Sequence, residues 1–108
     1  MHELGIAKEI FKEIKRVSGG KKPKEVFIVI GKGTGIEKDF LKHSLKEHIF
    51  KEIGWDDVEV IFEEEEVLLY CRNCDREINE IESFSCPFCG GFDLEILKGN
   101  RTYVKKVQ

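Results

Sequence analysis

No stretch of this chain is apolar for the roughly 20 residues that cross a bilayer as a helix, and no cysteine lies outside two Cys-x-x-Cys pairs. The first absence excludes a helical membrane span. The second leaves no thiol for nucleophilic catalysis. An excess of basic charge is also missing: 18 Lys and Arg against 21 Asp and Glu give a net charge of -3. Nucleic-acid binders usually present a basic face, so this balance argues against a phosphate-seeking surface. Glutamine occurs once, at Gln108, while Lys and Glu dominate the charged set, a bias shared with proteins from hot environments. The first residues lack signal-peptide form, because Lys8, Glu9, Lys12 and Glu13 interrupt the apolar positions. Paired cysteine motifs without an export signal point to a reducing, cytoplasmic setting and to metal rather than disulfides. No nucleophile–base pairing or open metal motif is present, so the chain reads as a non-enzyme.

What is present fits one domain-sized chain of 108 residues, with 41% hydrophobic and 36% charged content. Leu4, Ile6, Ala7, Ile10, Phe11, Ile14 and Val17 recur at separations of three and four and predict an amphipathic helix. Gly19-Gly20 ends it, and Pro23 follows. Val26 to Ile30 is a β-branched run that reads as a buried strand. The loop Gly31-Lys32-Gly33-Thr34-Gly35 lacks the Gly-Lys-Ser/Thr ending of a nucleotide loop and reads as a flexible turn into a second helix over about 36–53. Thr34 and Glu37 have capping-box spacing, and Phe40, Leu41, Leu45, Ile49 and Ile53 are the expected core face. His48 is expected to pack partly buried and His43 to be solvated. Val58, Val60 and Phe62 alternate as a second strand, leading into the acidic run Glu63–Glu66, read as a solvated strand edge. Thr102 to Val107 reads as a last strand returning to the first layer.

Cys71-Arg72-Asn73-Cys74 and Cys86-Pro87-Phe88-Cys89 are the ligand set of a closed tetrahedral sulfur site. Closure leaves no vacant position, so this ion holds the fold rather than performing hydrolysis. Four thiolates also suit a one-electron iron centre; zinc is favoured because the site reads as a fold-holder. The fold class is α+β: a small mixed sheet with two helices, plus an inserted zinc-ribbon-like unit. The expected division is 1–69 with 94–108 as one domain and 70–93 as the metal-binding unit.

The opening Met1-His2-Glu3 is a second candidate site. An imidazole beside a free amine and backbone nitrogens can build fused chelate rings, and deprotonated amides are strong-field planar donors that suit nickel(II) or copper(II). The bland alternative is a surface histidine near a frayed terminus, with Glu3 complementing the positive end of the helix. A zinc-ribbon adaptor for protein or nucleic acid is a competing class, with Arg72 and Arg76 supplying charge. There Phe84, Phe88 and Phe92 could stack bases, although so small a unit needs those rings for its own core.

Taken together, Met1-His2-Glu3 opening an amphipathic helix, the stretch Gly31 to Leu45, and the cysteine spacing resemble the HypA/HybF family of nickel-insertion accessory proteins for [NiFe]-hydrogenase maturation. The resemblance implies a metallochaperone with Cys71, Cys74, Cys86 and Cys89 on structural zinc. It implies nickel(II) as transient cargo at His2, with Met1 and Glu3 adjoining. It further implies a HypB-type GTPase and the hydrogenase large subunit as partners, with urease maturation proteins served in some members. A homodimer is compatible with the sequence but not specified by it. The chain departs from the family at Lys32, where an acidic residue is expected after the first glycine, and no histidine lies in or after the cysteine unit.

Overall fold

The computed structural model describes residues 3–79 and 85–108. Its elements are α1 (Glu3–Ser18), β1 (Glu25–Gly31), α2 (Lys38–Leu45), β2 (Glu59–Glu65), β3 (Leu68–Cys71), β4 (Arg76–Ile78), β5 (Leu94–Lys98) and β6 (Thr102–Val107). They build two three-stranded sheets. In the first, β1 is central, parallel to β2 and antiparallel to β6. In the second, β3 is central and antiparallel to both β4 and β5. The chain is long, 53 × 23 × 17 Å, with a radius of gyration of 16.9 Å. A compact chain of this length would have about 13 Å, so the two sheets do not share one round core.

The larger core lies under the helices. Ala7, Ile10 and Ile14 of α1, Leu41 and Leu45 of α2, Val26, Ile28, Ile30, Val60 and Val104 of the sheet, and Val58 just before β2 are all buried in one cluster. Alternation along β1 sends residues 26, 28 and 30 to the helices, while Phe27, on the opposite face, lies beneath the Lys106 ammonium at 4.7 Å. Trp55, which the sequence reading passed over, closes the lower end of this core against Phe11 and Phe50, at ring-centroid distances of 5.6 Å to each.

The second helix departs from expectation in three ways. Thr34 does not form a capping box with Glu37. Its hydroxyl donates to the Gly31 carbonyl at 2.7 Å and accepts the Ile36 N–H at 3.2 Å, while α2 begins after Glu37 without a side-chain cap. Lys46–Phe50 then forms a π turn, in which the Lys51 N–H reaches back to the Lys46 carbonyl, before a short 3₁₀ turn, Lys51–Ile53. The wider turn lets Leu45 and Phe50, five residues apart, both be fully buried. Phe40 and Ile53, expected in the core, are exposed, at 58% and 46%. His48 is exposed as well, not packed.

A neck of backbone joins the two sheets. The outgoing chain is Glu66-Val67, and the returning chain is Gly99-Asn100-Arg101. Gly31 and Gly33 donate N–H bonds to the carbonyls of Arg101 and Gly99, both at 2.8 Å. A Cβ on Gly31 would fall on the Gly99 carbonyl group, and one on Gly99 would stand 2.6 Å from both the Glu66 oxygen and Val67 Cα. Gly99 also has φ +87, in the left-handed region. The loop read as flexible is thus pinned. Glu65 fastens the same place: its carboxylate accepts the Gly99 N–H at 3.0 Å and the Tyr103 hydroxyl at 2.9 Å. Holding that proton pushes the Tyr103 phenol above its ordinary pKa, with burial adding in the same direction.

Gly99→Ala must therefore displace backbone. It is expected to cost on the order of 2–4 kcal/mol, among the larger single-residue effects, as a drop in urea midpoint. Gly20→Ala shares a positive φ but meets nothing within 4 Å, and should cost only about 1 kcal/mol. Equal losses in the two variants would refute the close-packed neck.

Candidate metal centre

The two cysteine pairs fold alike because each ends on a left-handed residue. Asp75, at φ 62, follows Cys74, and Gly90, at φ 72, follows Cys89. In the first knuckle the Asp75 N–H bonds the Cys71 carbonyl at 2.8 Å. In the second the Gly90 N–H bonds the Cys86 carbonyl at the same distance. Each turn thereby points both of its sulfurs to one side. The second sheet brings the knuckles together: β3 ends at Cys71, β5 begins at Leu94, and the Arg72 N–H bonds the Asp93 carbonyl at 3.0 Å.

All four sulfurs lie within 4.8 Å of one another. Cys71 and Cys89 stand 3.6 Å apart, as do Cys74 and Cys86, so the shortest contacts run between knuckles. A tetrahedral ion with metal–sulfur bonds near 2.3 Å requires sulfur separations of about 3.8 Å, close to the two contacts between knuckles, so small adjustments of the thiols suffice to close the donor set on an ion. N–H groups are aimed at the sulfurs: Phe88 N to Cys86 Sγ and Gly91 N to Cys89 Sγ at 3.4 Å, and the Asn73 amide to Cys89 Sγ at 3.3 Å. They spread the negative charge that four thiolates concentrate.

The thiols differ strongly before a metal arrives. The Asn73 amide, then the Gly91 N–H, lower Cys89 to about 6. Withdrawal from water, reinforced by hydrogen bonds with the other thiols, pushes Cys74 up to about 12. Near neutral pH the metal-free site holds a thiolate at exposed Cys89 and a thiol at Cys74. An incoming ion has an anchor at once and must expel protons from the rest.

The surroundings bear on the adaptor reading. Arg72 is held by Asp93 at 2.8 Å and Glu95 at 3.5 Å, and Arg76 lies over the Phe88 ring at 4.8 Å. Both cations are committed within the unit rather than free for phosphate. The aromatic rings are not core, contrary to expectation: Phe88 is 59% exposed and Phe92 80%. Phe84 lies outside the described residues.

Met1 and His2 also lie outside the described residues. Glu3 is the first residue of α1. A cleft of about 400 Å³ opens at the carboxyl ends of β1 and β2, lined by Ile30, Lys32, Ile36, Glu37, Asp39 and Glu64. The neck leaves the sheet from the same end.

Comparison with known proteins decides the family. The family model described as "Hydrogenase/urease nickel incorporation, metallochaperone, hypA" matches residues 1–108. The chain belongs to the HypA family. Hydrogenase maturation factor HypA of Pyrococcus furiosus is 30% identical, with 99% of this chain and 94% of that protein covered. The factor of the same name from Thermococcus gammatolerans is also 30% identical, over 96% and 92%. The solution structure of the Ni metallochaperone HypA from Helicobacter pylori shares the fold. Its TM-score is 0.73, at 17% identity, covering 100% of this chain and 97% of that one. HypA proteins are metallochaperones and maturation factors, so this chain is not an enzyme.

Loading the thiolates releases protons, and the sign of the pH effect follows from the two shifted thiols. Above about pH 6 Cys89 is already a thiolate, so fewer protons leave. Below that value its proton must go too, and affinity falls more steeply. Calorimetry in buffers of differing ionisation heat should show proton release per metal rising as pH drops through about 6. Iodoacetamide should leave all four cysteines unlabelled in the metal-loaded protein and label all four after chelation, read by peptide mass spectrometry. A cysteine whose labelling the chelator does not change would be removed from the ligand set.

Proposed function

We propose that this chain is a nickel metallochaperone of [NiFe]-hydrogenase maturation that carries Ni(II) at Met1-His2-Glu3 and holds zinc at Cys71, Cys74, Cys86 and Cys89. The observation that carries the reading is the family match over the whole chain, combined with a sulfur cluster that consumes every cysteine. Four thiolates closed on one ion leave no exchangeable position, so cargo needs other donors. Met1-His2-Glu3 supplies an imidazole and neighbouring backbone nitrogens, which suit the planar preference of Ni(II). Zinc rather than iron fits a site that orders a unit whose buried cluster, among the described residues, is Leu69, Cys71, Ile78 and Cys86.

In this reading the two metal sites divide the work. The thiolate unit is set by its resident ion. The terminal donors release protons to take up nickel and recover them on giving it up, so uptake weakens as pH falls. A cargo site at the tip of a chain can be approached by a partner that exchanges ligands directly. The partners we assign are a HypB-type GTPase and the hydrogenase large subunit, in the cytoplasm.

His2→Ala should abolish tight Ni(II) binding in a calorimetric titration while native metal analysis still finds one zinc per chain. A single-residue extension before Met1 should do the same, because it removes the free amine from its place beside His2. Nickel affinity unchanged in both proteins would defeat the proposed ligand set. A coloured protein with a reversible one-electron potential would replace zinc by iron.

A further inference from the structure

Helix α2 and the π turn that follows it carry two imidazoles that neither the terminal site nor the thiolates use. His43 and His48 are both exposed, and their ring centroids stand 5.2 Å apart with the planes at 79°. Sequence spacing alone would not bring them together. Residues five apart in a regular α-helix are rotated by about 140° about the axis, and their side chains diverge. The π turn Lys46–Phe50, closed by the Lys51 N–H on the Lys46 carbonyl, widens the helix by one residue and brings His48 onto His43. Burial of Leu45 and Phe50 accounts for a wide turn at this place. It does not account for imidazoles at the two surface positions that the turn aligns.

Two imidazoles on one ion, with metal–nitrogen bonds of about 2.0–2.1 Å, hold their ring centres on the order of 4.5–5.5 Å apart for angles between square and tetrahedral. The observed separation falls in that range, so the pair can close on an ion by rotation about side-chain bonds. The nearby charges leave the approach open. Glu47 is drawn to Lys51 at 3.8 Å. Asp39, one helical turn before His43, is a carboxylate that can join directly or through water.

We propose that His43 and His48 form a two-imidazole surface site for a divalent late first-row cation, the class that imidazole favours, and that Ni(II) occupies it. The site is independent of the terminal donors. With two protein nitrogens against the fuller chelate at Met1-His2-Glu3, it is the weaker of the two and exchanges faster.

The test uses the full chain bearing one equivalent of zinc, freed of excess metal, with His2→Ala to remove the terminal imidazole. Titrated with nickel chloride, this protein should keep one weak site, and paramagnetic broadening in NMR should strike the His43 and His48 ring protons first. Adding His43→Asn or His48→Asn should weaken that uptake by roughly tenfold or more, the gain lost when one of two linked donors is removed. Both rings are exposed, so the thermal midpoints should not move. Absence of residual uptake in the His2→Ala chain overturns the proposal, as does uptake that both asparagine variants leave intact. Should His2→Ala leave tight binding unchanged while the asparagine variants abolish it, the terminal reading fails and the imidazole pair stands.

Discussion

Among the described residues, the thiolate unit has almost no interior apart from its cysteines. Of the four buried residues in its apolar cluster, Cys71 and Cys86 are themselves ligand candidates, leaving Leu69 and Ile78 as the hydrocarbon. So little apolar area cannot offset the entropy of ordering the two knuckles and three short strands. The sulfur–metal bonds must supply the difference, and apparent energies of about 10–16 kcal/mol for structural zinc in small peptides are of the right size. The first sheet stands otherwise. Its helices bury a continuous apolar layer and need no ion.

These two kinds of cohesion meet at the neck, where neither oil nor metal acts. Contact there is backbone on backbone, possible because Gly31, Gly33 and Gly99 carry no side chain. Glu65 ties the return strand to the outgoing one through Gly99 and Tyr103, and the Lys32 ammonium pairs with Glu66. The acidic run read as a solvated edge is therefore divided: Glu63 pairs outward with Lys105 at 3.0 Å, whereas Glu65 fastens the junction.

Much of this was legible from residues alone. The spacing in α1, the β-branched run of β1, the alternation of β2 and the cysteine quartet each rest on neighbours close in sequence, so pattern and place agree. The failures share a different cause. Leu45 and Phe50 shift the buried face after α2 by one residue, and no 3.6-residue period anticipates a π turn, which is why Ile53 was misplaced. Gly31 and Gly99 are 68 positions apart, and their contact makes a fixed junction of a loop that, read locally, looks mobile. Trp55 stands alone between turn residues, and its burial depends on Phe11 and Phe50 arriving from two other segments.

The junction also makes chain length unevenly negotiable. Only Gly99, Asn100 and Arg101 separate β5 from β6, and each end of that link is bonded to a strand of a different sheet. An added residue there would shift the pairing of β6 by one and turn its core-facing Val104 toward solvent. Growth or loss of sequence in this architecture is therefore excluded from the short bridge back to the first sheet, which keeps its length.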